Sequence, residues 1–264
     1  MSWFDKAVGR SFDQYARHWS KQRYRMHVGD DKGRELVDDS KDHLLNRPGD
    51  EWGEQVRLAT VYRDLVPRLI GSDPIVVLEI GSGAGRLTEV MKNEFDGLIQ
   101  KYYALDVSRE MTRILRQRMA GWKKLKTHVV KDVDLSMFPD RHFDLCLSQS
   151  AWSHINFYDQ YRYLRDLRRV MKQNAPLACF GICFMGVKSD WHWQLFCKRV
   201  YQIEHGIKGV YHEFIGQSQF AEMALRLGWE IDRLKPNNFV LRNRSADVTD
   251  SIRDGALIPP CPFL

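Results

Sequence analysis

The sequence predicts an α/β protein built on a doubly wound, mostly parallel sheet, and three observations support this fold class. Short apolar runs alternate with segments of helical periodicity from residue 74 onward. The first run, Ile75–Ile80, is rich in β-branched residues and suits a strand buried on both faces, as in a parallel sheet. A glycine-rich turn separates this run from the next helical segment. Such alternation favours a doubly wound sheet, whose crossovers are right-handed almost without exception.

Residues 1–73 are predicted to form a helical cap or lid before the sheet. An apolar stripe with spacings of three and four predicts a first helix, along Phe4, Val8, Phe12, Tyr15 and Trp19. Residues 28–53 are rich in Asp, Gly and Lys and predict a long loop, which at that length is functional or mobile. Helical spacing returns from Leu58 to Leu69, with Pro67 ending or kinking the helix.

The sheet is predicted to lie within residues 74–264. After the first strand, further strands are expected over 102–105, 127–131, 143–148 and 176–184. Helices are expected after the glycine-rich turn, over 109–120 and over 158–172. Strands over 229–235 and 239–244 then form a hairpin, which completes seven strands and makes the last one antiparallel. Residues 185–216 are rich in aromatic and His side chains and are expected to form an inserted substrate lid.

Composition places the chain among ordinary globular proteins. Its 264 residues are 44% hydrophobic and 28% charged, enough to bury a core without disulfides or a structural metal. The net charge of +6 permits an anionic partner but does not demand nucleic acid, which a dense basic stripe would signal better. The five cysteines are scattered without a C-x-x-C pair, which predicts reduced thiols and a cytoplasmic protein. Because no apolar run reaches the roughly 18 residues of a membrane span, and the first residues lack an apolar signal core, we expect neither a transmembrane segment nor export.

The strongest motif is the turn Gly81-Ser82-Gly83-Ala84-Gly85, which follows Glu79. Glycines let the chain turn tightly and let a ligand approach the backbone. The N–H groups of such a turn and the start of the next helix favour anionic groups. A dinucleotide fingerprint would place its third glycine at position 86, which is Arg86 here, so the spacing argues against that ligand class.

The pattern E-x-G-x-G-x-G resembles motif I of the class I S-adenosylmethionine-dependent methyltransferases, of the small-molecule type. Further matches follow in register. Asp106 ends the second strand, where that family has an acid that accepts both ribose hydroxyls. Asp132 follows the third strand, where the family commonly has an Asp that meets the adenine edge. The run from Phe143 to Ser148 resembles the fourth strand, and the resemblance extends over roughly residues 74–184.

This resemblance implies a Rossmann-like fold, an enzyme and S-adenosylmethionine as cofactor, with S-adenosylhomocysteine as product. It places the cofactor against Tyr15, Glu79, Gly81, Ser82, Gly83, Gly85, Asp106, Val107, Asp132, Val133 and Ser148. Core packing stays open for Tyr15, and a role at the start of the next helix stays open for Asp106. Asp134 and Asp140 are alternatives to Asp132. The His residues of the predicted lid have no zinc-ligand spacing, so no metal is expected.

The loop after the fourth strand predicts the acceptor side of the site. Family members often have an aromatic residue and a His there, near the transferred methyl group, and this chain has Trp152 and His154. His154 is the candidate catalytic base, since an imidazole with an unperturbed pKa near 6.5 is available in its neutral form. A packing or hydrogen-bonding role for this His stays open. Tyr158 is a further candidate for acceptor contact.

A basic helix face follows this loop. It consists of Arg162, Arg165, Arg169 and Lys172, which recur at helical spacing. Two interpretations stay open for it. One is an ordinary solvated face, and the other is a docking surface for an anionic partner.

The predicted acceptor class depends on motifs that the loop lacks. Nucleic-acid amino methyltransferases of this class typically have Asn/Asp-Pro-Pro-aromatic after the fourth strand, where this chain reads Ser148-Gln149-Ser150-Ala151-Trp152. The Pro-Cys nucleophile of cytosine-C5 enzymes is also missing from this place. We therefore expect a small-molecule, glycan or lipid-linked acceptor rather than nucleic acid, with O-methylation favoured over N-methylation. A nucleic-acid methyltransferase and a non-catalytic cofactor-binding scaffold stay open as alternatives, as does the oligomeric state.

Overall fold

The computed structural model of the chain describes residues 3–18, 48, 55–185, 193–194, 196–197, 200–201, 204 and 212–244. The predicted loop over 28–53, apart from residue 48, and most of the predicted lid over 185–216 lie outside these residues. In the part of the chain that is described, every helix is too short or too polar to cross a membrane.

Nine strands are present among the described residues: β1 Ile75–Ile80, β2 Ile99–Asp106, β3 Leu125–Val129, β4 Leu145–Gln149, β5 Pro176–Phe180, β6 Cys183–Met185, β7 Phe214–Gly216, β8 Trp229–Lys235 and β9 Asn238–Asn243. Seven of them form the main sheet, in the order β3-β2-β1-β4-β5-β9-β8. Strands β6 and β7 form a separate parallel pair.

The helices with described bounds are α1 Trp3–His18, α2 Gln55–Leu69, α3 Arg86–Phe95, α4 Arg109–Arg118, α5 Phe157–Val170 and α6 Gln217–Arg226. Helix α4 begins after Ser108, whose hydroxyl accepts a hydrogen bond from the N–H of Met111 at 3.1 Å. Helix α5 begins after Asn156, which accepts in the same way from the N–H of Asp159. These are the short polar side chains that satisfy the free N–H groups of a helix start.

Strand direction agrees with the predicted fold class. Strands β2 and β3 are parallel, as are β4 and β5, whereas β9 runs antiparallel to both β5 and β8. All six residues of β1 are buried, as expected for a strand covered on both faces. The predicted seven-stranded, mostly parallel sheet with an antiparallel last strand is confirmed.

The strand predicted over 176–184 is in fact two strands in different sheets. The strand is interrupted at Gly181, which has φ of 83°. The N–H groups of Gly181 and Ile182 both donate to the carbonyl of Asn237. Strand β5 therefore stays in the main sheet, and β6 pairs with β7. Uniform apolar character does not locate such a break, because both strands are buried.

The chain divides into two compact units. The first comprises Met1–Ile75, Glu79–Asp132 and Lys208–Val210, and the second comprises Val76–Leu78, Val133–Ile207 and Tyr211–Leu264. In the first unit, α1 packs against α4 and α2 packs against α3. In the second, α6 packs against β7 and β8. The division of the chain at residue 73 stays a prediction.

Candidate active site

The glycine turn, residues 81–85, connects β1 to α3. Its glycines have a left-handed backbone, with φ of 71° at Gly81, 53° at Gly83 and 88° at Gly85. A Cβ atom at Gly85 would lie 2.3 Å from Cδ1 of Leu115, so a side chain there meets both strain and a clash. A Cβ atom at Gly83 would meet nothing within 4 Å. The turn therefore presents open backbone that a ligand can approach.

The end of β2 holds this turn in place. The carbonyl of Leu105 accepts hydrogen bonds from the N–H groups of Gly81 at 2.8 Å and Ser82 at 3.0 Å. The Ser82 side chain is buried, and its hydroxyl has no hydrogen-bond partner in the described part of the chain. Buried polar groups are nearly always paired, so an orphan hydroxyl at this place indicates a missing ligand or water.

Glu79 is buried at the end of β1. Its Oε2 atom accepts hydrogen bonds from the hydroxyls of Thr88 at 2.6 Å and Tyr102 at 2.8 Å. Burial raises the pKa of this carboxyl to about 7, although the two hydroxyls act in the opposite direction and favour the charged form. The negative charge of Asp106 adds to the rise. The carboxylate of Glu79 is thus held by neutral donors.

Asp106 is buried at the end of β2 and joins two turns. Its Oδ2 atom accepts from the N–H of Gly83 at 2.7 Å, and its Oδ1 atom accepts from the N–H of Ser108 at 2.8 Å. Burial raises its pKa to about 6, and the backbone N–H groups of Ser108, Gly83 and Val107 partly offset this. The sequence predicted that Asp106 and the glycine turn contact the same ligand, and the structure places them in direct contact.

Helix α1 covers the turn between β2 and α4. A Cβ atom at Gly9 would lie 3.0 Å from the carbonyl oxygen of Val107, so the two backbones approach closely here. Asp13 accepts hydrogen bonds from the hydroxyl of Ser108 at 2.6 Å and the N–H of Glu110 at 3.1 Å. Tyr15 lies half-buried on the same helix. Its contact with a cofactor stays a prediction.

Asp132 and Val133 follow β3, as the sequence predicted. Asp132 is half-buried and Val133 is buried. The carbonyl of Val133 accepts a hydrogen bond from Nη2 of Arg162 at 3.2 Å. The adenine contact that the sequence assigns to these two residues stays a prediction.

Ser148 and Trp152 lie inside the second unit. Ser148 is buried on β4, where it pairs in register with Cys179 of β5. Trp152 is fully buried, with its ring centroid 5.5 Å from that of Phe239 and 6.0 Å from that of Tyr163. This burial favours packing for Trp152. The acceptor contact assigned to it stays a prediction.

His154 ends a short 3-10 helix, Trp152–His154, in the loop after β4. Its half-buried ring lies 4.8 Å, between centroids, from the ring of His212. The carbonyl of Ser153 accepts from the N–H of Glu213 at 2.6 Å, which fixes this loop to the residues before β7. Tyr158 is 78% exposed on the first turn of α5, so its hydroxyl is free to meet solvent or an acceptor.

The basic side chains of α5 make contacts within the unit, as does Lys172, which lies two residues beyond the end of this helix. Arg162 donates to Asp159 at 3.0 Å, and Lys172 donates to Asp144 at 2.6 Å. Arg169 donates to Asp140 and to the carbonyls of the loop beside it. Because these cations already have anionic or carbonyl partners, the structure favours an ordinary helix face over an anion-docking surface.

Three contact residues of the site were not predicted from the sequence. Asp13 reaches the site only because α1 packs on α4, so no local pattern could signal it. Thr88 and Tyr102 hold Glu79 from a helix and a neighbouring strand. Their spacing from Glu79 in the chain carries no recognisable motif.

Comparison with known proteins adds a family match to this geometry. Residues 78–179, which contain both the glycine turn and the loop after β4, match the family model described as a methyltransferase domain. Residues 78–179 therefore resemble a methyltransferase domain. Among curated proteins, none matches the sequence.

Solved structures share the fold of this chain at low sequence identity. Magnesium protoporphyrin IX methyltransferase from Synechocystis, with bound S-adenosylhomocysteine, has a TM-score of 0.57 and 15% identity over 92% of this chain and 100% of that chain. A chain of the Haloferax volcanii complex that contains the methyltransferase activator Trm112 has a TM-score of 0.55 and 18% identity, over 84% and 77% of the two chains. Phosphoethanolamine N-methyltransferase 2 from Haemonchus contortus, with phosphomonomethylethanolamine and S-adenosylhomocysteine, has a TM-score of 0.51 and 19% identity, over 67% and 39%.

The similar structures confirm the predicted Rossmann-like fold, and the match of residues 78–179 to a methyltransferase domain supports the predicted enzyme class. They also agree with S-adenosylmethionine as the methyl donor that this class of enzyme uses.

Proposed function

We propose that this methyltransferase binds S-adenosylmethionine at the glycine turn and transfers its methyl group to a hydroxyl of a small-molecule, glycan or lipid-linked acceptor. When bound, this donor supplies a methyl group activated by a positive sulfonium. The observation that supports the proposal most is Asp106, whose two oxygens accept from Gly83 and Ser108 and so fix the carboxylate beside the open turn.

The donor set of the first unit fits this ligand. Each carboxylate oxygen of Asp106 has a second lone pair, so it can accept from a ribose hydroxyl while keeping its backbone donor. The open side of Gly83 leaves room for the ligand, and the orphan hydroxyl of Ser82 lies in the same turn. We assign Glu79 to the methionine part of the donor, since its carboxylate has only hydroxyl partners and suits a cation.

On the acceptor side we assign the proton transfer to His154. As the new oxygen–carbon bond forms, the acceptor hydroxyl loses its proton to a neutral imidazole nitrogen of His154, which later releases it to solvent. Positioning of the hydroxyl in line with the methyl group supplies much of the acceleration. Transfer to an amine needs no such base when the amine is already unprotonated. The effect of replacing His154 on turnover therefore also distinguishes O-methylation from N-methylation.

Two similar structures are consistent with a small acceptor. Their names describe enzymes that act on magnesium protoporphyrin IX and on phosphoethanolamine. The second is an N-methyltransferase, so an amine acceptor stays open as an alternative. The engaged cations of α5 add no support for a nucleic-acid acceptor. A cytoplasmic location stays a prediction, with which the buried free thiols of Cys146, Cys179 and Cys183 are compatible.

Calorimetry and methyl transfer test the proposal together. The purified protein is titrated with S-adenosylmethionine, and then incubated with methyl-labelled donor and a panel of hydroxylated metabolites, glycans and lipids, with mass detection. We expect heat on titration and label in a hydroxyl-bearing product. Absence of binding would favour the scaffold alternative, and label only in an amine or in nucleic acid would refute the proposed acceptor.

The variant His154→Ala tests the base, and His142→Ala is its control because His142 lies before the opposite end of β4. We expect the first to lower turnover at least tenfold with unchanged donor affinity, within the range that a general base contributes. The control should retain turnover. Equal turnover in the two variants would remove His154 from the mechanism.

A further inference from the structure

Three carboxylates lie close together in the first unit, and one of them has no assigned role. Ser108 connects two of them, because its hydroxyl donates to Asp13 at 2.6 Å and its N–H donates to Asp106 at 2.8 Å. Burial is the main cause that raises the pKa of Glu79, and the negative charge of Asp106 raises it further. Asp13 stands outside the glycine turn, on half-buried α1. We call these three residues the acidic cluster.

The acidic cluster is held by neutral donors throughout the described residues. Hydroxyls of Thr88, Tyr102 and Ser108 and the backbone N–H groups of Gly83, Ser108 and Glu110 supply its hydrogen bonds. Neighbouring acids of the same unit differ, since Glu89 pairs with Arg118 at 2.5 Å and Glu94 pairs with Arg63 at 2.7 Å. The cluster therefore concentrates negative charge that no described cation balances.

A second observation at the same place points to a ligand. The hydroxyl of Ser82 is buried without a hydrogen-bond partner in the described chain, and the adjoining Gly83 presents open backbone whose N–H already contacts Asp106. Like charges that are partly removed from water repel one another unless a cation compensates them. The ligand that completes this site is thus expected to bring positive charge.

We propose that Asp13 is a specificity residue, which favours the cationic donor S-adenosylmethionine over its product S-adenosylhomocysteine. This inference rests on the proposed function. Methyl transfer breaks the sulfur–methyl bond and returns its electron pair to sulfur, so a sulfonium becomes a neutral thioether. The net charge of the ligand falls from +1 to 0 because its ammonium and carboxylate are unchanged. Asp13 acts through its charge, and its removal weakens the hold on the donor more than the hold on the product.

The structure separates this effect from simple support of the fold. Asp13 contacts the turn through its Oδ1 atom, which accepts from Ser108 and Glu110. An Asn at this position keeps a side-chain oxygen for both donors and loses only the charge. The loss also removes one of the influences that raise the pKa of Asp106, so that carboxylate stays charged and its grip on a ribose common to both ligands is kept.

The test compares the affinities of the two ligands by calorimetry at neutral pH and low salt. In Asp13→Asn we expect the ratio of donor to product affinity to fall about three- to fivefold, as for the loss of one unit of charge that acts through a partly solvated site. The affinity for S-adenosylhomocysteine itself should stay within twofold. Asp73→Asn is the matched control, because it makes the same charge change at an exposed position before β1 and should leave the ratio unchanged.

The outcomes distinguish this inference from the proposed function. An unchanged ratio in Asp13→Asn, with both ligands still bound, refutes the role of Asp13 and leaves the proposed function standing. If the wild-type protein binds neither ligand, both this inference and the proposed function are refuted. If Asp13→Asn does not fold, Asp13→Ser supplies a hydroxyl acceptor without charge and the same ratio decides. Asp13→Glu, which restores the charge, should restore the ratio.

Discussion

Two groups of carboxylates in this protein have opposite surroundings. Glu79 and Asp106, at the ends of β1 and β2, are buried among hydroxyls and backbone N–H groups, and burial raises their pKa values to about 7 and about 6. Glu94 on α3 and Asp144 before β4 instead pair with basic side chains. The hydrogen bond from Arg63 lowers the pKa of Glu94.

This difference separates acids that support the fold from acids reserved for a ligand. A paired carboxylate is neutralised within the chain and gains little from an added cation. A buried carboxylate with neutral donors weakens the folded protein near neutral pH, and a bound cation offsets that cost. We therefore expect the protein to be less stable without the donor and to gain stability when the donor binds.

The largest effect is expected for Asp106→Ala. The change removes an anionic acceptor from both ribose hydroxyls, and hydrogen bonds to charged groups contribute about 1.5–3 kcal/mol each. We expect the affinity for S-adenosylmethionine to fall roughly 100-fold, or about 2.7 kcal/mol, by calorimetry. Asp73→Ala, at the exposed position before β1, should bind the donor normally. Equal affinities would show that the ribose is held elsewhere.

The second effect concerns the pH dependence of stability. The pKa of Glu79 is raised in the folded protein, so folding favours its protonated form, and the resulting stability is present near pH 4 and is lost as pH rises through about 7. Glu79→Gln, which has no such titration, should therefore lose less stability than the wild type between pH 5 and pH 8. Between pH 5 and pH 8, the wild type should lose on the order of 2 kcal/mol more of its free energy of unfolding than Glu79→Gln, as measured by chemical denaturation.

Glu94→Gln is the control for that experiment. The pKa of Glu94 is lowered by its hydrogen bond with Arg63, so the stability it contributes is present above its unfolded pKa and is lost only at lower pH. The wild-type slope between pH 5 and pH 8 should persist in this variant. Part of the slope should remain in Glu79→Gln, because the pKa of Asp106 is also raised, to about 6. A slope as steep in Glu79→Gln as in the wild type would show that Glu79 does not titrate in this range.

A smaller effect is expected for a half-exposed ion pair. Lys172 donates to Asp144 at 2.6 Å, with 48% of the Lys172 side chain and 22% of the Asp144 side chain exposed. Lys172→Met should lower the free energy of unfolding by no more than about 1 kcal/mol, because solvent screens the pair. Donor affinity should not change. A loss of donor affinity would contradict the separation between the two groups of acids.

The smallest effect is expected at the pair between α2 and α3. The Arg63 side chain is 61% exposed, and exposed pairs contribute little net stability despite good geometry. Arg63→Met should leave the midpoint of thermal unfolding close to that of the wild type. A large shift would mean that this pair contributes more to stability than its exposure predicts.

Sequence alone predicted most of the sheet and the main parts of the donor site. Continuous apolar runs identified the strands of the sheet because a strand buried on both faces needs apolar side chains at every position. The glycine turn and Asp106 could be found because each is local: the turn follows directly after β1, and Asp106 is the last residue of β2. Their roles came from a family resemblance, and the match over residues 78–179 confirms the class that it implied.

Tertiary structure decided whatever depends on residues distant in the chain. The contact of Asp13 with Ser108 spans 95 residues, and the hold of Tyr102 on Glu79 joins two strands. The interruption of the strand at Gly181 depends on hydrogen bonds to the carbonyl of Asn237, and no local sequence pattern predicts them. Burial of Trp152 likewise depends on Phe239 from a late strand. Periodicity and motifs report the backbone conformation of a segment, whereas the charge and packing around a side chain depend on which segments meet.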